Sequence, residues 1–209
     1  MTFSSQARAT LFVISAPSGA GKTSLVKALL ADLDNIQVSI SHTTRAKRPD
    51  EKEGVDYHFI NGHQFLDLLH QDAFLEHASV FNYHYGTSKD WVQQTLDKGI
   101  DVILEIDWQG AQQIAAIVNC ATIFILPPSL SALRERLTNR DQDTASTIEH
   151  RLTKAQDEIA HFDSADYVVI NDDFDTALVQ LKSIICAERL KTALQKRRHE
   201  KLLGALLNN

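Results

Sequence analysis

Cysteine is scarce in this chain. Cys120 and Cys186 are the two in 209 residues, and they stand far apart in apolar sequence without a repeated spacing. That pattern argues against a disulfide framework or a cysteine metal site, and it predicts reduced, buried thiols in a cytoplasmic protein. Long apolar runs are also missing. No stretch of about 18 apolar residues exists, so no membrane-spanning helix is expected. The opening MTFSSQARAT lacks the charged, apolar and small-residue sections of a secretory signal. An excess of positive charge is absent as well. The net charge is −6 at pH 7, which argues against a chain that coats nucleic acid. A local cluster of arginines is the more informative for standing in a negative field.

What is present suits one sizeable hydrophobic core with small insertions. Apolar residues make up 44% and charged residues 23% of the chain, ordinary values for a globular protein. Leu11–Ser15 is a short apolar, β-branched run and predicts a buried strand. Further strands are expected within Ile100–Asp107, at Ile123–Leu126 before Pro127 and Pro128, and at Tyr167–Ile170. Helical periodicity lies between them, over Gln109–Val118, Ser131–Thr138, Thr147–His161 and from Phe174 onward. Apolar strands alternating with helices predict an α/β fold, a parallel sheet with helices on both faces. Residues 36–90 break that rhythm with short alternating strands and one short helix pattern. They predict a mixed α+β insertion. Asn139–Thr147 is polar, without apolar anchors, and predicts a loop between two helices.

The segment Ala16-Pro17-Ser18-Gly19-Ala20-Gly21-Lys22-Thr23 follows the first strand and opens a helix. It matches the phosphate-loop pattern G-x-x-x-x-G-K-[ST] except that Ala16 replaces the first glycine. Gly19 and Gly21 let the backbone curl so that its N–H groups face phosphate oxygens. Lys22 would reach the β- and γ-phosphates, and the Thr23 hydroxyl would ligate Mg²⁺. Such proteins often place a metal-holding carboxylate on a second strand, and Glu105 or Asp107 suits that role. A nucleoside triphosphate is therefore the expected ligand. What would receive its phosphoryl group is written elsewhere. Arg45 and Arg48 stand three residues apart before Pro49, with Tyr57 following, an arrangement suited to bidentate capture of a phosphate.

The runs S-H-T-T-R-x-x-R-P, D-Y-H-F, F-L-E-H-A, Y-G-T-S and L-E-I-D-W-Q-G-A together resemble the guanylate kinase family, from about residue 10 to residue 190. The resemblance implies a P-loop core over residues 1–35 and 91–209, a GMP-binding insertion over 36–90, and a helical lid near 137–150. It implies ATP and GMP as partners, a homo-oligomer as one possible state, and transfer of the γ-phosphoryl group to GMP. By the same resemblance Ser41, Arg45, Arg48, Glu51, Tyr57, Glu76, Tyr85, Gly86, Thr87 and Asp107 hold GMP. Guanine offers two adjacent donors on one edge beside a carbonyl. A carboxylate such as Glu76 answers both donors, with Asp107 assisting, and the Ser41 and Thr87 hydroxyls suit the carbonyl. Arg136, Arg140 and Arg151 match lid arginines that meet charge on the transferring group. Asn171 either reaches the adenine or is a strand-end turn, and Arg134 suits an ion pair with a neighbouring acid or packing on the adenine side. Asp50 departs from the family, which usually has glycine after the proline, and Glu105 replaces a common aspartate.

No general base stands out. A phosphate monoester's second pKa is about 6, so the acceptor oxygen is already mostly ionised at neutral pH. His42, His58, His77 and His84 share the insertion without metal-ligand spacing. Lys196–His199 is expected to be a solvated helix end. Two other readings remain open at this level: a P-loop kinase for a different small acceptor, and a guanylate-kinase-like module that only binds proteins.

Overall fold

The structure is a computed structural model that describes residues 9–80, 82–138 and 145–207. Its first sheet has five parallel strands in the order β2-β7-β1-β8-β9. These are β1 (Leu11–Ser15), β2 (Ile36–Val38), β7 (Asp101–Glu105), β8 (Ala121–Leu126) and β9 (Tyr167–Ile170). The side chains of β1 explain why it lies at the centre. Phe12 and Ile14 point to one face, where they pack with Leu25, Val26 and Leu29 of α1 (Lys22–Asp32) and Leu181 and Ile185 of α7 (Phe174–Arg189). Leu11 and Val13 point to the other, against Val92 and Leu96 of α3 (Lys89–Asp97) and Ile114 of α4 (Trp108–Ile117). A strand apolar on both faces is stable only between two helical layers. A third, smaller core joins α5 (Leu130–Thr138) to α6 (Ala145–Ile159) through Leu133, Leu137, Leu152 and Ala155.

The second sheet has four strands in the order β4-β3-β6-β5. They are β3 (His42–Thr43), β4 (His58–Phe59), β5 (Phe74–Val80) and β6 (Tyr83–Ser88). The helix α2 (Gly62–His70) accompanies them. It starts at a reciprocal cap, in which the Gln64 amide N–H donates to the Asn61 side chain and the Asn61 N–H to that of Gln64. The stretch expected to form the insertion begins later than the composition suggests. Ile36–Val38 is the edge strand of the five-stranded sheet, and the second sheet opens only at His42. Of the expected lid, residues 139–144 lie outside the described residues.

All five strands of the first sheet run the same way, so their C-terminal ends share one edge. Ser15, Glu105, Leu126 and Ile170 close β1, β7, β8 and β9 there. Ligands of open parallel sheets gather along such an edge. The C-terminal end of the chain adds α8 (Thr192–Arg198) and α9 (Glu200–Leu207). The basic stretch on α8 is not simply solvated. Arg198 turns inward toward Asp101, with Nη2 3.5 Å from a carboxylate oxygen. The cysteines also divide. Cys120 is partly enclosed, and burial pushes its thiol up to about 11, whereas Cys186 sits exposed on α7. The expectation of two buried thiols is corrected for Cys186.

Candidate active site

β1 ends at Ser15, and the chain curls through Ala16–Gly21 before α1 starts at Lys22. Gly19 and Gly21 adopt φ of 92° and 94°, the left-handed region that side chains with a Cβ resist. The curl is closed by the Ala20 N–H, which donates to the Pro17 carbonyl at 3.1 Å. No acidic side chain stands in the first turn of α1 and no side chain caps it. Its N–H groups and positive dipole end therefore remain for an anion. Lys22 lies deep in the site and donates from Nζ to the Ile106 carbonyl at 3.2 Å. Burial pulls its ammonium below the ordinary lysine range, against Glu105, Asp107 and Glu158, which pull the other way. The Thr23 hydroxyl donates to Glu105 Oε2 at 3.3 Å. The hydroxyl and carboxylate named for a metal thus converge between the start of α1 and the end of β7.

Across from the loop, β5 and β6 place Glu76 opposite Thr87. Glu76 is buried, and the Thr87 hydroxyl donates to its Oε1 at 2.6 Å. Burial pushes the Glu76 carboxyl up to about 7, with Thr87 lowering it and Asp107 adding to the rise. Thr87 has one hydroxyl hydrogen, and Glu76 takes it. Gly110 packs against Glu76: a Cβ there would stand 2.9 Å from Glu76 Oε2. Gly86 serves packing, since a Cβ there would meet the Phe74 ring at 2.8 Å. Asp107 caps α4 by accepting from the Gly110 N–H at 2.9 Å.

Arg45 is held as a fork. Its Nη1 and Nη2 donate to Glu51 Oε2 and Oε1 at 3.0 and 2.6 Å, and Nη1 also donates to the Ala46 carbonyl at 2.9 Å. This pairing raises the Arg45 pKa and lowers that of Glu51. The Tyr57 ring lies 5.4 Å from the guanidinium carbon, and Tyr57 and Tyr85 meet edge to face at 5.9 Å. Glu51 therefore orients Arg45. It also accepts from the Arg48 N–H at 2.9 Å, so the turn forms with Asp50 in the glycine position. The Arg48 side chain stays 64% exposed and reachable by a ligand.

These groups share one hollow. A cavity of about 200 Å³ is lined by Ala16 and Lys22 from the phosphate loop, Ser41 and Tyr57 just ahead of β3 and β4, Glu76 and Tyr85 on β5 and β6, Glu105 at the end of β7 and Asp107 at the cap of α4. A wider hollow of about 580 Å³ lies between α5 and α6 and includes the Arg134–Glu149 ion pair. No phosphate-loop residue lines it, and Arg134 and Glu149 pair with each other across it, so the smaller cavity is the candidate site.

Four contacts around the loop join residues far apart in the chain. Glu158 of α6 accepts from the Ser18 N–H at 3.2 Å. His161, just past α6, stacks on Trp108 at 3.6 Å between ring centroids. Asn171 is buried, and its Nδ2 donates to the Ala20 carbonyl at 2.7 Å. Arg136 donates from Nη2 to the Asn171 carbonyl at 2.9 Å, and its Nη1 is buried without a partner among the described residues. Arg151 lies on α6, while Arg140 falls outside the described residues. The partners in these contacts are 35 to 151 positions apart, beyond the reach of any local pattern.

Known proteins of one family are similar to this chain over nearly its whole length. A family model described as guanylate kinase matches residues 8–188. A guanylate kinase of Saccharophagus degradans is 58% identical over 200 residues, covering 95% of this chain and 98% of that protein. A guanylate kinase of Coxiella burnetii is 55% identical over 201 residues, covering 96% and 98%. The crystal structure of guanylate kinase from Anaplasma phagocytophilum superposes with a TM-score of 0.75 at 35% identity, over 90% of this chain and 89% of that one.

Proposed function

The chain belongs to the guanylate kinase family, and from that membership we propose how its own residues move the γ-phosphoryl group of ATP to GMP. The observation that carries the reading is the shared cavity, where Lys22 of the phosphate loop and Glu76 of the second sheet face one space. The donor's phosphates lie along the curled loop and the first turn of α1, with Lys22 swinging from the Ile106 carbonyl to the β- and γ-oxygens. Guanine enters beside Glu76, whose ionised carboxylate accepts from the ring N–H and the amino group. Ser41 donates to the carbonyl and Asp107 assists. Adenine presents the wrong pattern there and leaves buried groups unpaired, a penalty of a few kcal/mol.

The GMP phosphate meets Arg45, pre-set by Glu51, together with Arg48, Tyr57 and Tyr85. One of its oxygens attacks the γ-phosphorus as the bond to the β-phosphate oxygen breaks, giving GDP and ADP. The attacking oxygen is already ionised, so positioning and charge neutralisation supply the rate. Arg136, Arg140 and Arg151 add charge from the lid side. Mg²⁺ fits the oxygen pair formed by Thr23 and Glu105, a hard donor set that suits that ion. When bound it would neutralise β- and γ-phosphate charge. Two unbridged cysteines support the reducing cytoplasm as the compartment.

The test is turnover with Mg²⁺-ATP and each nucleoside monophosphate side by side. GMP should be used far better than AMP. Preference for AMP, or no turnover with GMP, would overturn the assignment of Glu76 and its neighbours.

A further inference from the structure

A loop that turns its N–H groups toward an anion must turn carbonyls away from it. In this chain one such carbonyl, Ala20 O, faces inward, on a residue with no exposed surface. A buried carbonyl left unpaired costs about 1–3 kcal/mol. The donor it receives comes from Asn171, 151 positions away. Asn171 is itself fixed. Its N–H donates to the Leu126 carbonyl at 2.8 Å and so extends the β8–β9 ladder by one step. Gly21 is matched to it, because a Cβ on Gly21 would stand 2.4 Å from Asn171 Nδ2. The same residue holds a second group. Its carbonyl accepts from Arg136 Nη2, which leaves Nη1 of that guanidinium buried and unpartnered among the described residues.

We infer that Asn171 is a positioning residue that ties the curl of the phosphate loop and the guanidinium of Arg136 to one strand end, so that both present donors to the triphosphate in a fixed relation. The inference rests on the phosphate-loop reading above. It differs from a role in reading adenine: one amide N–H of Asn171 is held by the loop carbonyl, and the effect asked of it does not depend on the base of the donor. Loss of the tie should let the loop relax and Arg136 drift. A displacement of about 1 Å at such groups can cost about a hundredfold in rate.

The experiment compares Asn171→Leu with the wild-type chain, using ATP, a triphosphate bearing a different base, and inorganic triphosphate as donors to GMP. Wild-type turnover of ATP and GMP is the control that the phosphate-loop reading itself must pass. In the variant, kcat/KM should fall about 10- to 100-fold for every donor by a similar factor, with KM for GMP unchanged. A loss confined to ATP would make Asn171 an adenine contact and overturn the inference, as would unchanged kinetics. Asn171→Asp, nearly isosteric, covers the case in which the leucine variant does not fold. Its carboxylate presents an acceptor to the Ala20 carbonyl, while its protonated form presents a donor. The ratio of variant to wild-type kcat/KM should therefore climb as pH is lowered from about 8 to about 5.5. A flat ratio, or a variant equal to wild type throughout, would refute the tie.

Discussion

Glu76 is held in a conflict that the proposed guanine contact would explain. A carboxyl with 4% of its surface exposed is disfavoured in its charged form, and burial moves it up to about 7. Guanine needs the charged form. The native state therefore binds a proton more tightly than the unfolded chain, and stability falls as pH rises from about 4.5 to about 7 and stays reduced above. Glu76→Gln should remove that cost, on the order of 1–3 kcal/mol at pH 8. Ligand-free melting curves should show the variant several degrees more stable at pH 8, with the difference shrinking toward pH 5. The same variant should bind GMP at least tenfold more weakly while its ATP affinity stays put, as paired titrations would show. In the wild-type chain GMP affinity should fall as pH drops through about 7. A variant that is no more stable at pH 8, or that loses ATP and GMP equally, would remove Glu76 from the base pocket.

The last turn of α6 meets the phosphate loop as an anion would. Glu158 takes the Ser18 N–H, and burial raises its pKa against the pull of that bond, Lys154 and Lys22. Phosphate oxygens and a carboxylate compete for donors and for Lys22 in the same small space. Glu158→Gln removes the charge and keeps the size. Triphosphate binding should tighten about three- to tenfold, a gain of about 1 kcal/mol, with GMP binding unchanged. Tryptophan fluorescence gives the readout, because Trp108 is stacked on His161 at the end of this helix. Weaker binding in the variant would mean that Glu158 supports the bound state instead. None of this was legible in the sequence, where Glu158 looks like one acid on a polar helix face. What was legible is local. The run Leu11–Ile14 declared a strand by its unbroken apolar side chains, and Lys22–Thr23 declared the loop. The Ser41–Tyr57 and Glu76–Thr87 runs named guanine through family resemblance, since no spacing rule links Glu76 to a base. The Thr87–Glu76 bond, which takes Thr87's only hydroxyl hydrogen, required coordinates.

At the scale of the whole molecule, chemistry and anchoring occupy opposite edges of one sheet. The C-terminal ends of β1 and β7 carry the loop, Glu105 and Asp107. The N-terminal end of β7 carries Asp101, which has no exposed surface. Its oxygens accept from Arg189 Nε at 2.6 Å, the Thr10 N–H at 2.7 Å and Arg198 Nη2 at 3.5 Å. Arg189 also donates to the Asp34 carbonyl at 2.8 Å. One carboxylate thus joins the entry to β1, the approach to β2, the start of β7 and the helices α7 and α8. The sequence hid it, because Asp101 sits in an apolar run and its arginines lie 88 and 97 positions away. Asp101→Ala would leave the Arg189 guanidinium facing a cavity without this counter-charge, a loss of about 3–5 kcal/mol. Four residue steps along β7 separate Asp101 from Glu105, about 13 Å at the rise of a strand. The variant should therefore melt roughly 6–15 °C lower, while kcat and both KM values measured well below its midpoint stay within about twofold of wild type. Asp101→Asn, which keeps an acceptor but not the charge, should fall between. A variant with normal melting and impaired kcat would place Asp101 in the catalytic machinery, across a sheet whose geometry keeps the two apart.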